Sequence, residues 1–246
     1  MLVICPVFNK IELLPFYLKY YEGLGATEFV VALWNGQKNP LHEAILQTGV
    51  DIRTSVMCDM KDYNGPAEIP GLNAIREELA GRHGWYCIAD LDEFFHFGES
   101  LPAMREAAEK NGFQAVHGIF HDRVAPEYEF PSISESTSLD LTFPLECDLT
   151  RVAATNNNKI CMAKKEVRIE SGHHYCHGKS WNYKAEVHHF KWRDGIMEQL
   201  AERDRFFTAQ GLPWSGESSR FLKTINEKNY LEQSQYNTRP ARIIGI

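Results

Sequence analysis

The stretch Trp85-Tyr86-Cys87-Ile88-Ala89-Asp90-Leu91-Asp92-Glu93-Phe94-Phe95 decides how this chain is read. Its apolar half, Trp85 to Ala89, has the length of a strand and runs without a break into carboxylates. A continuous rather than alternating apolar run marks a strand buried on both faces, as in the parallel sheet of an α/β protein. Ligands of such sheets collect at the carboxyl ends of the strands. On a strand, residues i and i+2 share a face, so Asp90 and Asp92 are expected side by side. Two neighbouring carboxylates repel each other unless a proton or a cation neutralises them. Hard oxygen donors suit Mg2+ or Mn2+, and such an ion can clamp the phosphates of a substrate. Glu93 would support the pair from behind, and Phe94 and Phe95 would wall it. The competing reading is a solvated, charged turn after a strand.

Upstream the apolar pattern repeats. Leu2 to Phe8, Phe29 to Trp34 and Val50 to Val56 read as strands. Leu13 to Leu24, stopped at Gly23 and Gly25, then Pro40 to Leu46 and Pro66 to Ala80, read as the helices between them. The expected fold class is α/β, with a mostly parallel central sheet and helices on both faces. Downstream the texture changes. A helix at Leu101 to Lys110 precedes strand-like pieces at Gln114 to Phe120, Leu139 to Phe143, Lys159 to Met162, Val167 to Ile169 and Ala185 to Phe190. Long polar stretches, Ala125 to Ser138 and Thr150 to Asn158, separate them; a last helix covers Ile196 to Ala209, and a polar tail starts at Asn226. One domain over 1–246 is expected, with an α/β half at 1–97 and an irregular half at 98–246.

Composition narrows the function classes. A net charge of −7 makes the surface as a whole unattractive to nucleic acid. The six cysteines are scattered, without a C-x-x-C pair, so neither a disulfide framework nor a thiolate zinc site is expected. The chain opens directly on a strand and has no apolar run near the roughly 18 residues that a membrane span needs. The expectation is a soluble protein of a reducing compartment, the cytoplasm.

The strand with C-P-V-F-N-K, the helix E-x-L-L-P-F-Y-L-x-Y-Y-x-x-L-G and the run W-Y-C-I-A-D-L-D-E-F-F together resemble glycosyltransferases related to family 2, with a GT-A fold, on the bacterial branch akin to family 92. The resemblance covers residues 2–97 and continues more loosely through His121-Asp122-Arg123, Phe143-Pro144-Leu145, Lys159 and Val187 to Trp192. It implies transfer of a sugar from a nucleoside-diphosphate donor to a glycan or lipid-linked acceptor, with peripheral work at the inner face of a membrane. The first half then binds the nucleotide and the second half receives the acceptor. Pro6, Val7 and Asn9 match the loop against the donor nucleotide, Asn73 and Arg76 the helix whose polar face looks toward the diphosphate, and Asp90 and Asp92 the metal motif. Trp34-Asn35-Gly36-Gln37 departs from the family, which shows an acidic residue before Asn-Gly; Asn35 remains the donor contact there.

The rest of the site is expected from the second half. Histidines cluster at Gly172 to His177 and at His188-His189. His173 and His189 are the candidates to complete the metal shell; His188 and His189, adjacent on a strand, face opposite ways. An inverting transferase needs a carboxylate to take the acceptor proton, and Asp122, then Glu127, are the candidates, against an ion pair of Asp122 with Arg123 or Lys159. Lys159, Lys191 and Arg203 offer charge to a departing diphosphate; Trp181, Trp192 and Trp214 are stacking surfaces or core. Three alternatives remain: a sugar-phosphate nucleotidyltransferase, which lacks its Gly-rich first loop here, a metal-dependent phosphoesterase, and a carbohydrate-binding GT-A-like protein without turnover.

Overall fold

The computed structural model describes residues 1–7, 10–33, 41–47, 49, 52–56, 72–78, 83–126, 129–211, 215–226 and 238–246. The chain forms two compact units, Met1–Ile119 with Asn158–Val187, and Phe120–Asn157 with His188–Ile246. The division therefore follows neither half expected from chain order: each unit is assembled from two separate segments.

The first unit opens with β1 (Leu2–Val7), α1 (Leu14–Gly23), β2 (Glu28–Leu33), α2 (Leu41–Leu46), β3 (Ile52–Val56) and α3 (residues 72–78). It continues through β4 (Trp85–Ile88), β5 (Glu93–His96) and α4 (Leu101–Lys110) into β6 (Ala115–Val124), whose first residues it keeps. β1 pairs in parallel with β2 on one side and β4 on the other, and β2 pairs in parallel with β3. The order β3-β2-β1-β4 reverses direction at β1, so a topological switch point lies between the carboxyl ends of β1 and β4. β8 (Asn158–Lys164) adds antiparallel to β4 and also pairs antiparallel with the start of β6. The sheet is thus mixed rather than mostly parallel. Leu2, Ile4, Val30, Tyr86, Ile88 and Ile160 form the buried centre.

Two local features hold the unit's working end. In α1, Leu14, Tyr17, Leu18 and Tyr21 share the i, i+3, i+4, i+7 face and are buried. The hydroxyls of Tyr17, Tyr20 and Tyr21 donate to the carbonyls of Ala89, Phe95 and Glu93, each at 3.0 Å. α4 starts at Ser100, whose hydroxyl accepts from the Ala103 amide, and stops before Gly112 at φ 70°.

The second unit pairs the end of β6 with β7 (Leu145–Cys147), and β7 with β10 (Arg239–Pro240), all antiparallel. The helical turns α5 (Leu139–Thr142) and α6 (Thr150–Ala153) flank β7, and α7 (Ile196–Ala209) and α8 (Ser215–Asn226) follow the last residues of β9 (Ser180–His189). Val124, Leu149, Trp192, Ile196, Leu200 and Phe221 make its core. Leu139–Thr142, within the stretch 139–143 expected as a strand, form α5, and Asp140 is drawn inward. One of its oxygens accepts from Arg123 at 3.1 Å, and the other accepts the amides of Ile244, Gly245 and Ile246 at 3.0, 2.7 and 3.2 Å. The strand expected at 167–169 is reduced to one bridge, Ile169 to Cys176. Cys5, Cys87, Cys147, Cys161 and Cys176 are free thiols, all but the last buried. No helix among the described residues is long and apolar enough to cross a membrane.

Candidate functional site

β4 ends at Ile88, and its pairing with β1 runs one residue further, the Ala89 amide donating to Ile4 at 3.1 Å. The chain then turns instead of continuing as a strand. The Glu93 amide donates to the Asp90 carbonyl at 2.9 Å, and the Asp90 amide donates to Glu93 Oε2 at 3.2 Å. Asp90 and Asp92 are therefore set by a four-residue turn closed from both ends, and the alternation of a strand is not what orients them. Both are half-buried, next to the switch point of the parallel strands. Phe94 and Phe95 do not wall this turn. Both are fully buried, with Phe94 edge-on to Tyr17 and Tyr20 and Phe95 edge-on to Tyr21, in the aromatic contact with α1.

Lys159, the second residue of β8, supplies the turn's counter-charge. Its ammonium donates to Asp90 Oδ2 at 3.0 Å and to Glu93 Oε1 at 2.7 Å, and both Lys159 and Glu93 are 2% exposed. Burial works against the charged amine, but the Asp90 and Glu93 carboxylates outweigh it and raise the lysine's pKa. Sequence reading named Lys159 as a donor-binding residue but missed its tie to Glu93. The available signal was a single lysine leading the apolar run Ile160-Cys161-Met162. His173 belongs to the same neighbourhood. It is buried, and burial first, then the Lys159 charge, lower its pKa to about 3, so the ring is neutral. Its φ of 58°, directly after Gly172 at φ 72°, is a left-handed backbone that non-glycine residues rarely adopt. The His174 ring bonds to the Asn158 carbonyl, which can only accept, so Nδ1 carries the proton.

Among the described residues, no three His, Cys, Asp or Glu side chains converge to hold a metal ion. Two carboxylates on one turn, without a protein cage, are what Mg2+ or Mn2+ uses when phosphates and water complete its shell. Asp90 Oδ2 accepts from Lys159 at 3.0 Å, so an ion at this turn would draw on Asp92 and the other Asp90 oxygen and take the rest of its shell from its ligand.

The remaining predicted residues fall in different surroundings. Pro6 and Val7 are buried inside β1, opposite Ala32 and Leu33, rather than in a loop. Asn73 is half-buried on α3. Arg76 is 3% exposed and donates to the carbonyls of Lys165 and Val167 at 2.7 and 3.0 Å, so its guanidinium ties α3 to the chain after β8. Asn9, Asn35, Glu127, Trp34 and Trp214 lie outside the described residues. Lys191 and Arg203 both sit against Glu217, at 3.9 and 3.4 Å, and Trp181 stacks on Phe113 at 5.1 Å.

The second unit gathers Asp122, His189 and Trp192. Asp122 pairs with neither Arg123 nor Lys159: its Oδ1 receives His189 Nδ1 at 2.9 Å and the Trp192 indole N–H at 3.0 Å, and its Oδ2 the Leu149 amide at 3.1 Å. Arg123, on the other face of β6, donates to Asp140 and to the Phe143 carbonyl, and lies 3.3 Å from His188 Nδ1. The alternation of β6 thus matches that of His188 and His189, which face opposite ways as expected. Trp192, 1% exposed and edge-on to Phe221 at 5.0 Å, is core and not a sugar platform.

No family model matches the chain, and no curated protein matches it. Solved structures do. HddC from Yersinia pseudotuberculosis aligns with a TM-score of 0.42 and 9% identity over 82% of this chain and 98% of its own. The bifunctional IspDF from Campylobacter jejuni aligns with a TM-score of 0.37 and 10% identity, over 82% of this chain and 53% of its own.

Proposed function

We propose that the chain is an enzyme of nucleotide-sugar chemistry with a GT-A fold, and within that class a glycosyltransferase of the family 2 and family 92 kind. The observation that carries this reading is the closed acidic turn at the switch point between β1 and β4. Nucleotide ligands of open α/β sheets bind at such a point, and a carboxylate pair is what a diphosphate-bound Mg2+ or Mn2+ requires.

In this reading Asp90 and Asp92 hold the ion against the diphosphate. When bound, the ion supplies charge neutralisation to the departing diphosphate. Lys159 fixes the Asp90 side chain and Glu93 behind it, so the turn meets its ligand already ordered. The acceptor, a glycan or a lipid-linked sugar, follows from the sequence resemblance alone. Nucleotidyl transfer onto a sugar phosphate is the second reading, since the same turn serves a nucleoside triphosphate equally well.

Thermal unfolding with UDP, GDP, dTDP and their hexoses, with and without Mn2+, tests the reading. A ligand present at 100 times its Kd stabilises the folded state by about 2.7 kcal/mol. A shift that needs metal and nucleotide together, and that is lost in Asp92→Ala, is expected. No shift with any nucleotide sinks the proposal. Pyrophosphate release from a nucleoside triphosphate and a sugar phosphate would assign the second reading.

A further inference from the structure

The acidic turn already holds a cation. Asp90, Asp92 and Glu93 crowd carboxylates onto one turn, and the Lys159 ammonium reaches two of them, Asp90 Oδ2 at 3.0 Å and Glu93 Oε1 at 2.7 Å. Its two partners are placed differently. The Asp90 side chain is 34% exposed, against 3% for both Lys159 and Glu93. The ammonium therefore meets Asp90 from the protein side, and a ligand arriving from solvent meets it from the other.

The lysine has no easy way to withdraw. Its backbone lies in β8, in register with β6 opposite Gly118. Glu93, its closer partner, accepts the Asp90 amide at 3.2 Å and so belongs to the turn itself. Moving the ammonium into solvent would leave Glu93 as a buried carboxylate without its cation, which is strongly destabilising. The positive charge is thus a fixed part of the turn.

A fixed ammonium changes what the turn can take. It occupies one oxygen of Asp90 and repels any further cation that approaches the same carboxylate. Among the described residues, no three His, Cys, Asp or Glu side chains converge to offset that repulsion. A diphosphate does offset it. It brings the hard oxygens that Mg2+ and Mn2+ prefer, and its negative charge is attracted by the same ammonium.

We propose that Lys159 makes metal binding conditional: its ammonium keeps the turn from taking a divalent ion alone, so that the turn admits one only together with a phosphate-bearing ligand. The proposal rests on the reading of the turn as a nucleotide and metal site, and it names the residue that selects the complex over the bare ion.

Titration of the full chain with Mn2+, followed by the electron paramagnetic resonance of the free ion, tests it. Asp92→Ala sets the background for Mn2+ held by nucleotide in solution. In the parent, UDP, GDP or dTDP is expected to tighten Mn2+ binding by about 10-fold or more. Mn2+ alone saturating the parent at the same concentrations as Mn2+ with nucleotide overturns the proposal, and this arm needs no lysine variant to fold. The double variant Lys159→Met/Glu93→Gln removes the ammonium and its buried partner together, so the formal charge of the turn is kept. With its fold checked by circular dichroism, it is expected to bind Mn2+ alone about 10-fold or more tighter than the parent. A lysine that served only to hold the turn together would give no such gain on removal, and an unchanged affinity overturns the proposal. A gain in the double variant with no metal-dependent binding of any nucleotide overturns the nucleotide reading instead, and leaves Lys159 as the residue that excludes the bare ion.

Discussion

At the scale of single residues, the site is governed by who neutralises whom. Asp90 needs a counter-charge, and Lys159 supplies part of it, with Glu93 sharing the same ammonium. Lys159→Met would leave Glu93 as a buried carboxylate without its cation. A loss of about 3–5 kcal/mol is expected by urea denaturation, with partial recovery when Glu93→Gln is added; a loss below about 1 kcal/mol would mean the pair is solvated. Glu146 offers a pH test. Burial raises its pKa, but hydrogen bonds and charge from His121 and Arg239 outweigh that and bring it to about 2, below the ordinary 4.5. Because the folded pKa is depressed, this contribution is complete above pH 4.5 and is lost as pH falls from there through about 2. Glu146→Gln is expected to flatten the stability profile in that window and to leave the loss there smaller than in the parent. The opposed faces of His188 and His189 were legible in the sequence because strand alternation is local. The partners of Arg76 and Asp122, which are backbone groups, a histidine and a tryptophan far along the chain, are not announced by residue type.

At the scale of elements, strands and helices with strong apolar periodicity were legible, and their pairing was not. β1, α1, β2, β4, α4 and α7 fall where the periodicity puts them. The antiparallel additions did not, since a four-residue apolar run is equally good in either direction. β5 escaped notice because Glu93, a carboxylate, begins it, and its burial depends on Lys159. Gly118 in β6 shows how tightly the additions fit. A Cβ there would lie 2.8 Å from Cys161 Sγ and 2.9 Å from both the Ala185 carbonyl and Val187 Cγ2. One of those neighbours is backbone, which cannot rotate away. Gly118→Ala is therefore expected to destabilise by about 1–3 kcal/mol in chemical denaturation, and a neutral result would mean β8 and β9 yield easily.

At the scale of the whole molecule, the chain passes between its two units at 119/120, 157/158 and 187/188. Composition and element order could not reveal this, because nothing at those positions resembles a linker. They fall inside or beside β6, β8 and β9. A fragment ending at Ile119 lacks β8, which pairs with β4 at Trp85, Tyr86 and Cys87. Circular dichroism of that fragment is expected to show no cooperative thermal transition; a sharp one would mean the first segment folds unaided. Asp140 carries a last consequence. Amides outside helices and strands normally trade their hydrogens with solvent quickly. Here the amides of Ile244, Gly245 and Ile246 converge on one oxygen of a carboxylate whose other oxygen is gripped by Arg123. Their deuterium uptake then follows the opening of the unit that contains them, and these three residues become its clock.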